Sequence, residues 1–329
     1  MFFFYWMLHG RSILRKEHEK KPLLEVRFVK DPSCVYSIRD THLQEETIFK
    51  TFDKDFFHKN MLPEKISYKY DPNKFVTKKQ LETCLEQLFK EIKQKNKEFT
   101  HFDILIKHDF NRRKKYGFMI LLFKEYPFVA KVSIETPKSF VNPYSKGIKP
   151  IFFFNMGGGI NRHLLGFTRV KNLQAINKMI QGDATWSKLI ATPRKWYWLP
   201  KDSNDIELIG KNFPGKTELK TTIPGTYCII ADAIKLKNKK FSIFDKEARE
   251  MCMDLCNFLE VRIDPHIDNF LLEKDTNKIV IVDTEHFPSI VGFTETQQFK
   301  GYGDWYRRLA TKCVRDMFGQ TKKQRYSPE

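Results

Sequence analysis

The chain has 329 residues, of which 41% are hydrophobic and 14% aromatic, so it has ample material for a core and falls outside the disordered class. Lys and Arg number 58 against 40 Asp and Glu, which gives a net charge of +18. Such a surplus suits an anionic partner, for example a nucleotide, a phospholipid membrane surface, a nucleic acid or an acidic protein. Because the basic residues are spread along the whole chain, a lysine-rich solvated surface is the simpler interpretation.

The cysteine pattern predicts a reduced protein with neither a disulfide framework nor a zinc site. None of the six cysteines forms a C-x-x-C pair. Cys252 and Cys256 lie four residues apart in a helical segment, where buried thiols on one face are commoner than metal ligands. We therefore expect the cytoplasm or another reducing compartment, and secretion into another cell stays open. The apolar segment 1–8 is too short to cross a bilayer, so no transmembrane segment is predicted.

Recognisable periodicity starts after residue 75, and residues 1–75 are an amino-terminal extension of uncertain structure. Thr77, with Gln80 three residues on, predicts a capping box at the start of a helix. Apolar residues then recur at helical spacing: Leu81, Cys84, Leu85, Leu88 and Ile92. Three strands are predicted next, at 102–106, 117–123 and 128–134. A short turn joins the last two, which predicts an antiparallel hairpin.

The second half of the chain continues with helices and short strands. Strands are predicted at 195–199 and 226–234, and helices at 171–180, 246–259 and 303–317. This order, with strands first and then a helix and paired short strands, predicts an α+β protein with two lobes. A functional site is expected in the cleft between the lobes.

The segment 261–287 carries residues suited to phosphate chemistry. Asp264 and Asn269 have a D-x-x-x-x-N spacing in a proline-containing loop, and Asp283 ends an apolar strand-like run. Phosphoryl transfer needs a carboxylate near the acceptor hydroxyl and oxygen ligands for the magnesium ion that neutralises the polyphosphate. Two adjacent arms of a hairpin would supply both.

These residues resemble the catalytic loop and metal-binding strand of the protein-kinase-like superfamily. The D-x-H-x-x-N form that includes His266 is similar to aminoglycoside and choline kinases, lipopolysaccharide-core sugar kinases and UbiB-type kinases. The D-x-E form of Asp283 and Glu285 is similar to the choline-kinase and sugar-kinase branches. The resemblance implies an ATP- and magnesium-dependent phosphotransferase acting on a hydroxyl of a small molecule, a lipid-linked sugar or a protein. Asp264 would orient or deprotonate the acceptor beside His266, and the metal ligands would be Asn269, Asp283 and Glu285.

The resemblance also implies a nucleotide-binding lysine. The predicted strand FVAKVSI is similar to the V-A-I-K strand, whose lysine, here Lys131, contacts the α- and β-phosphates of ATP. The segment 226–234 would be the strand and hinge whose backbone groups bind adenine. Gly157, Gly158 and Gly159 follow the lysine instead of preceding it, and they form either a phosphate-binding nest at a helix start or a flexible turn.

The chain departs from the family pattern at the partner of this lysine. No glutamate lies between Glu135 and Glu207, so the helix expected to pair a glutamate with Lys131 has none, unless Glu135 or Asp183 substitutes. The short segment after the metal-binding strand implies a reduced carboxy-terminal lobe. The predicted organisation is therefore the extension, a kinase-like amino-terminal lobe and hinge at 76–234, and the reduced lobe at 235–329.

Two other functions stay open. The missing glutamate and the missing glycine loop before Lys131 favour a pseudokinase, a binding or scaffold module without turnover. The intact Asp264, Asn269 and Asp283 favour an enzyme. A basic nucleic-acid-binding protein is compatible with the charge, but no zinc-finger, RNP-like or helix-turn-helix pattern supports it.

Overall fold

The computed structural model describes residues 22–39, 49, 51–106, 110–145, 160–213, 218–237, 241–242, 244–288 and 298–317. Helices and sheets are mixed, which confirms the α+β class. The strands are β1 Leu23–Phe28, β2 Tyr36–Arg39, β3 Lys65–Tyr68, β4 Asp71–Thr77, β5 Phe102–Ile106, β6 Gly117–Phe123, β7 Phe128–Ile134, β8 Ile190–Ala191, β9 Lys195–Trp198, β10 Ile206–Lys211, β11 Glu218–Ile223, β12 Thr226–Asp232, β13 Phe270–Leu272 and β14 Ile279–Ile281. The helices are α1 Lys54–Lys59, α2 Lys78–Lys93, α3 Pro137–Ser145, α4 Ile160–Gly166, α5 Thr168–Gln181, α6 Trp186–Leu189, α7 Lys246–Phe258 and α8 Tyr302–Met317, with a 3-10 turn at Ile267–Asn269.

A five-stranded antiparallel sheet with the order β5-β6-β7-β12-β9 forms the centre of the fold. β5, β6 and β7 have the predicted bounds, and β6 and β7 form the predicted antiparallel hairpin, in which Gly117 lies opposite Ile134. β12 is buried along its whole length. Its apolar sequence TYCIIAD lacks polar alternation because both faces of the sheet are covered.

Helix α2 covers one face of this central sheet. Its predicted capping box is present, since Thr77 Oγ1 accepts a hydrogen bond from the Gln80 N–H and Gln80 Oε1 accepts one from the Thr77 N–H. The predicted apolar stripe of α2 is buried and packs in one core with Leu121 and Ala130 of the sheet. The helix is therefore positioned by an apolar face and fixed at its start by a cap.

A second sheet and the helices α3 to α5 cover the other face. The second sheet is antiparallel with the order β11-β10-β1-β2, so strands from the unassigned residues 1–75 pair with strands from the predicted amino-terminal lobe. Aromatic rings fill the space between the layers. Phe57 stacks on Tyr197 with ring centroids 4.3 Å apart, and Phe167 stacks on Tyr227 at 4.4 Å.

The carboxy-terminal part has its own core around α7 and α8. Cys252 and Cys256 of α7 are both buried in it, on one helix face as expected. Helix α5 links the cores, because Val170 packs under the sheets while Ile176 and Ile180 pack with α7. A residue on the buried face of α5 can therefore reach the boundary between the two parts.

The remaining predicted elements are present with shifted ends. α5 begins three residues before its predicted start, β9 ends at Trp198, β12 ends at Asp232 and α7 ends at Phe258. Strands β10 and β11 had no sequence prediction. Among the described residues, no helix has both the length and the apolar character needed to cross a membrane.

Candidate active site

The hairpin β13–β14 brings the predicted catalytic loop and the end of the predicted metal-binding strand together. The two strands pair antiparallel, with Phe270 opposite Ile281, and the Val282 N–H donates to the Asn269 carbonyl at 3.0 Å. Asn269 Nδ2 donates to the carbonyl of Asp264 at 3.1 Å. Asp264, Asn269 and Asp283 therefore lie at one end of one hairpin, and local structure alone places them there.

Asp264 is fixed by its own loop. Its Oδ1 accepts a hydrogen bond of 3.0 Å from the His266 N–H. The pKa of Asp264 is raised to about 6, chiefly by burial and to a smaller extent by the charges of Asp283 and Glu285, while the contacts with His266 oppose the rise. A carboxyl group with this pKa changes its protonation state near neutral pH, as a general base does.

His266 has a structural role in the same loop. It is the N-cap of the 3-10 turn, where Nδ1 accepts a hydrogen bond of 3.4 Å from the Asp268 N–H. Its side chain is partly exposed, with Nδ1 3.6 Å from the Asp268 carboxylate. The imidazole therefore lies beside Asp264 in the loop and shapes the turn that carries Asn269.

Lys131 reaches this hairpin from the third strand of the central sheet. Its Nζ lies 3.7 Å from Asp283 Oδ2 and donates to the Val282 carbonyl at 3.3 Å. The Lys131 side chain is buried, whereas that of Asp283 is 28% exposed. The structure thus brings together a predicted nucleotide-binding residue and a predicted metal ligand that are far apart in the sequence.

Arg169 on α5 was missed by the sequence prediction and binds the same carboxylate. Its Nε lies 3.2 Å from Asp283 Oδ1 and its Nη2 3.4 Å from Oδ2, while Nη2 also contacts the Glu285 carboxylate. Arg169 lies at helical spacing with the buried Leu173 and Ile176. The sequence signal that could have identified Arg169 is an arginine on the apolar face of a helix, which indicates a buried charge with a partner.

Lys195, the first residue of β9, was also missed. Its buried Nζ donates to the Thr284 hydroxyl at 2.6 Å and to the Val282 carbonyl at 3.1 Å. Thr284 Oγ1 donates in turn to the Arg169 carbonyl at 2.8 Å. Lys195 therefore ties the central sheet to the strand end that carries Asp283.

Burial and opposite charges compete in this cluster. Burial alone would raise the pKa of Asp283, but Arg169, Lys131 and Lys195 outweigh it and hold that pKa well below its usual range. Burial lowers the pKa of Lys131, against the attraction of Asp283, and burial together with Lys131 lowers the pKa of Lys195 further. Burial raises the pKa of Glu285 although Arg169 opposes it. Asp283 is consequently the firmly ionised carboxylate of the site.

The two residues considered as substitutes for the missing glutamate have other contacts. Glu135 accepts a hydrogen bond from the Ser139 hydroxyl near the start of α3. Asp183 Oδ1 accepts hydrogen bonds of 2.8 Å from the N–H groups of Thr185 and Trp186. The carboxylate beside Lys131 belongs to Asp283.

The predicted hinge is partly occupied by protein contacts. After β12, the Ala233 N–H donates to the Pro127 carbonyl at 2.9 Å, and just beyond the predicted hinge the Lys235 N–H donates to the Tyr70 hydroxyl at 3.3 Å. An adenine ring would therefore need other backbone groups of this segment. The glycine triplet 157–159, predicted as a phosphate nest or a turn, lies outside the described residues.

Asn269, Asp283 and Glu285 offer amide and carboxylate oxygens, the donor type that magnesium prefers. An ionised carboxylate has about four acceptor sites. In Asp283, Oδ1 accepts from Arg169 Nε and from the Glu285 N–H at 3.1 Å, and Oδ2 accepts from Arg169 Nη2 with Lys131 close by. The donor set fits a magnesium ion on condition that Arg169 or Lys131 gives up part of its contact.

No protein-family model matches the chain, and no curated protein is similar to it in sequence.

Proposed function

We propose that the protein is an atypical kinase-like phosphotransferase that uses ATP and magnesium to phosphorylate a hydroxyl group. The two-lobed kinase-like fold is part of the proposal. One observation carries it: Lys131 from the third sheet strand lies 3.7 Å from Asp283 at the end of the hairpin that also carries Asn269 and Asp264. In protein kinases the phosphate-binding lysine is likewise on the third strand, and metal-binding Asp and Asn residues flank the site.

The proposed roles follow from charge and position. Lys131, a cation at the wall of the site, would bind the nucleotide phosphates. Asn269 and Asp283, with Glu285, would hold the magnesium ion, which neutralises phosphate charge during transfer. Asp264, with its pKa raised to about 6, would accept the proton of the attacking hydroxyl once ionised.

A pseudokinase is the second candidate, and Arg169 favours it. Its guanidinium already binds Asp283 and Glu285, so both carboxylates share a cationic partner from the protein itself. Buried ion pairs with several hydrogen bonds are costly to break, because each separated charge loses its partner. A site held in this way could bind a nucleotide through Lys131 without placing a metal for transfer.

The test is a calorimetric titration of ATP with and without magnesium, followed by incubation with labelled ATP scored for autophosphorylation and hydrolysis. We expect magnesium to strengthen ATP binding to the wild type and Asp283→Ala to abolish that gain. Asp275→Ala is the control, because Asp275 is an exposed carboxylate at the tip of the same hairpin.

Equal ATP affinity with and without magnesium in the wild type and both variants would contradict the metal site. Magnesium-dependent binding without detectable transfer to protein, water or a panel of hydroxyl acceptors would favour the pseudokinase. Absence of any nucleotide binding would overturn both functions.

A further inference from the structure

Three side chains of metal-ligand type meet on the outer side of the central sheet, away from Asp283. Cys84 is on α2, His101 immediately precedes β5, and Glu125 is in the turn between β6 and β7. The thiol sulfur, an imidazole nitrogen and a carboxylate oxygen all lie within 4.8 Å of one another. The cysteine pattern predicted no zinc site, because these three residues come from separate segments that only the fold brings together.

We propose that Cys84, His101 and Glu125 form a binding site for a divalent cation of the zinc class, with a fourth position open to water. Thiolate, imidazole and carboxylate are the ligands that zinc uses, at about 2.0–2.3 Å from the ion. Tetrahedral geometry then requires ligand atoms roughly 3.3–3.7 Å apart. The present distances, from 2.7 Å between His101 Nδ1 and Glu125 Oε1 to at most 4.8 Å within the group, lie on both sides of that spacing.

The charges of the site balance. The Cys84 thiol loses its proton to solvent as the sulfur–metal bond forms, and the thiolate together with the Glu125 carboxylate neutralises the two positive charges of the ion. His101 Nδ1 now lies 2.7 Å from Glu125 Oε1. Two metal bonds from these atoms replace that contact. A harder cation such as magnesium is disfavoured, because it prefers oxygen ligands to sulfur and nitrogen.

The backbone on both sides of His101 is held in place. Glu91, two helical turns after Cys84 on the same face of α2, accepts hydrogen bonds from the Thr100 N–H and hydroxyl. The Lys124 N–H donates to the His101 carbonyl at 3.0 Å. Since Glu125 follows Lys124 directly, all three ligands are tied to one another before any ion binds.

The site is also accessible from one side. Cys84 is 4% exposed and lies at the bottom of the group, whereas the side chains of His101 and Glu125 are 26% and 53% exposed. An ion can therefore enter from solvent past Glu125 and find the thiol at the inner end. A fourth ligand position on the solvent side is available to water. The proposal uses no residue of the phosphotransfer site and stands independently of it.

The test is a titration of the reduced full-length protein with Co²⁺, followed by displacement with Zn²⁺ against a chromophoric chelator. We expect one ion per chain and a near-ultraviolet thiolate-to-cobalt charge-transfer band. Cys84→Ser should remove the band. Cys252→Ser is the matched control, because Cys252 is an equally buried cysteine on another helix, and it should keep the band.

His101→Gln and Glu125→Gln test the site even if Cys84→Ser fails to fold. Both side chains are partly exposed, so their replacement should leave the fold intact. Each should weaken zinc binding by about tenfold or more, at least the loss typical of removing a residue that supports a metal ligand. The proposal is overturned if the wild type gives no charge-transfer band. It is equally overturned if zinc affinity is the same in the wild type, His101→Gln and Glu125→Gln.

Discussion

Arg169 on α5 holds the Asp283 carboxylate, with Nε 3.2 Å from Oδ1 and Nη2 3.4 Å from Oδ2. The kinase pattern leads one to expect a glutamate on the helix that follows the lysine strand, paired with that lysine. Here α5, the third helix that the structure describes after that strand, contributes Arg169 instead, and Lys131 pairs directly with Asp283. The distribution of side chains is thus inverted, with three buried basic residues from the sheet and α5 placed around the carboxylates of the hairpin.

Removing the Arg169 charge should be strongly destabilising. Arg169→Met keeps much of the side-chain volume but leaves Asp283 and Glu285 close together without their shared partner. Breaking a buried pair in this way costs about 3–5 kcal/mol. Urea unfolding followed by circular dichroism measures the change.

Arg307→Met is the control for this measurement. Arg307 is 74% exposed and pairs with Asp304 at 2.6 Å on α8. Exposed pairs of this kind contribute at most about 1 kcal/mol. If the Arg169 and Arg307 variants lose similar stability, the guanidinium of Arg169 is not a structural support of the site.

The sequence predicted that Asp264, Asn269 and Asp283 lie on one hairpin because their placement is local. The D-x-x-x-x-N loop and the apolar strand ending in Asp283 form one hairpin, so spacing alone brings Asp264, Asn269 and Asp283 together. Arg169 reaches Asp283 only through tertiary folding, across 114 positions of sequence. The helical spacing of Arg169 with Leu173 and Ile176 is a signal for burial, but it does not show which carboxylate would face the guanidinium, and the predicted helix began only at residue 171.

The second sheet was unpredictable for a similar reason. β10 pairs with β1, which lies about half the chain earlier, and with β11. In β11, with the sequence ELKTTI, exposed and half-buried residues alternate before the buried Ile223, so the strand lacks an apolar run. β10 contains Gly210, a residue of low strand propensity. Gly210 is needed there because a Cβ would come 2.6 Å from the ring of Phe49.

Lys131 and Lys195 should respond differently to replacement by methionine. Lys195 donates to the Thr284 hydroxyl and to the Val282 carbonyl. In Lys195→Met each of these two acceptors loses one hydrogen bond. That should cost about 1–3 kcal/mol of stability. Lys131→Met leaves Asp283 paired with Arg169, so stability should change less, while ATP affinity falls.

Thermal unfolding without nucleotide and calorimetric ATP titration, applied to both variants, separate these effects. The reverse pattern, with normal ATP binding in Lys131→Met and weakened binding in Lys195→Met, would transfer the phosphate-binding role to Lys195. Unfolding of the Lys131 variant at ambient temperature would make Lys131 a structural residue.

Asp264 should make stability depend on pH. Its pKa is about 6 in the folded protein against an ordinary value of 3.8, so folding favours the protonated form. This contribution is complete below pH 3.8 and is lost as the pH rises through 6. Asp264→Asn has no carboxyl group to titrate at this position. The free energy of unfolding of the variant minus that of the wild type should therefore increase by about 2–3 kcal/mol between pH 4 and pH 7.

Urea unfolding of both proteins across this pH range measures the difference directly. Asp268→Asn is the control for replacing a carboxylate in the same turn, because its side chain is 83% exposed. A stability difference between wild type and Asp264→Asn that stays constant from pH 4 to pH 7 would show that Asp264 is not desolvated by the fold.

Asp264 is also the residue at which the enzyme and pseudokinase functions part. A carboxylate that accepts the acceptor proton acts in the transferring step and contributes little to nucleotide binding. Asp264→Asn keeps the side-chain shape, so ATP affinity should stay within a few-fold while turnover falls by about 10²–10⁴. The wild type should also lose turnover below pH 6, where Asp264 becomes protonated.

His266→Gln and Asp268→Asn, measured in parallel, show whether the neighbouring side chains share the proton transfer with Asp264. Transfer that is no faster in the wild type than in Asp264→Asn and stays at background in both, with magnesium-ATP bound, would favour the pseudokinase, because the carboxylate proposed to accept the proton would have no step to act on.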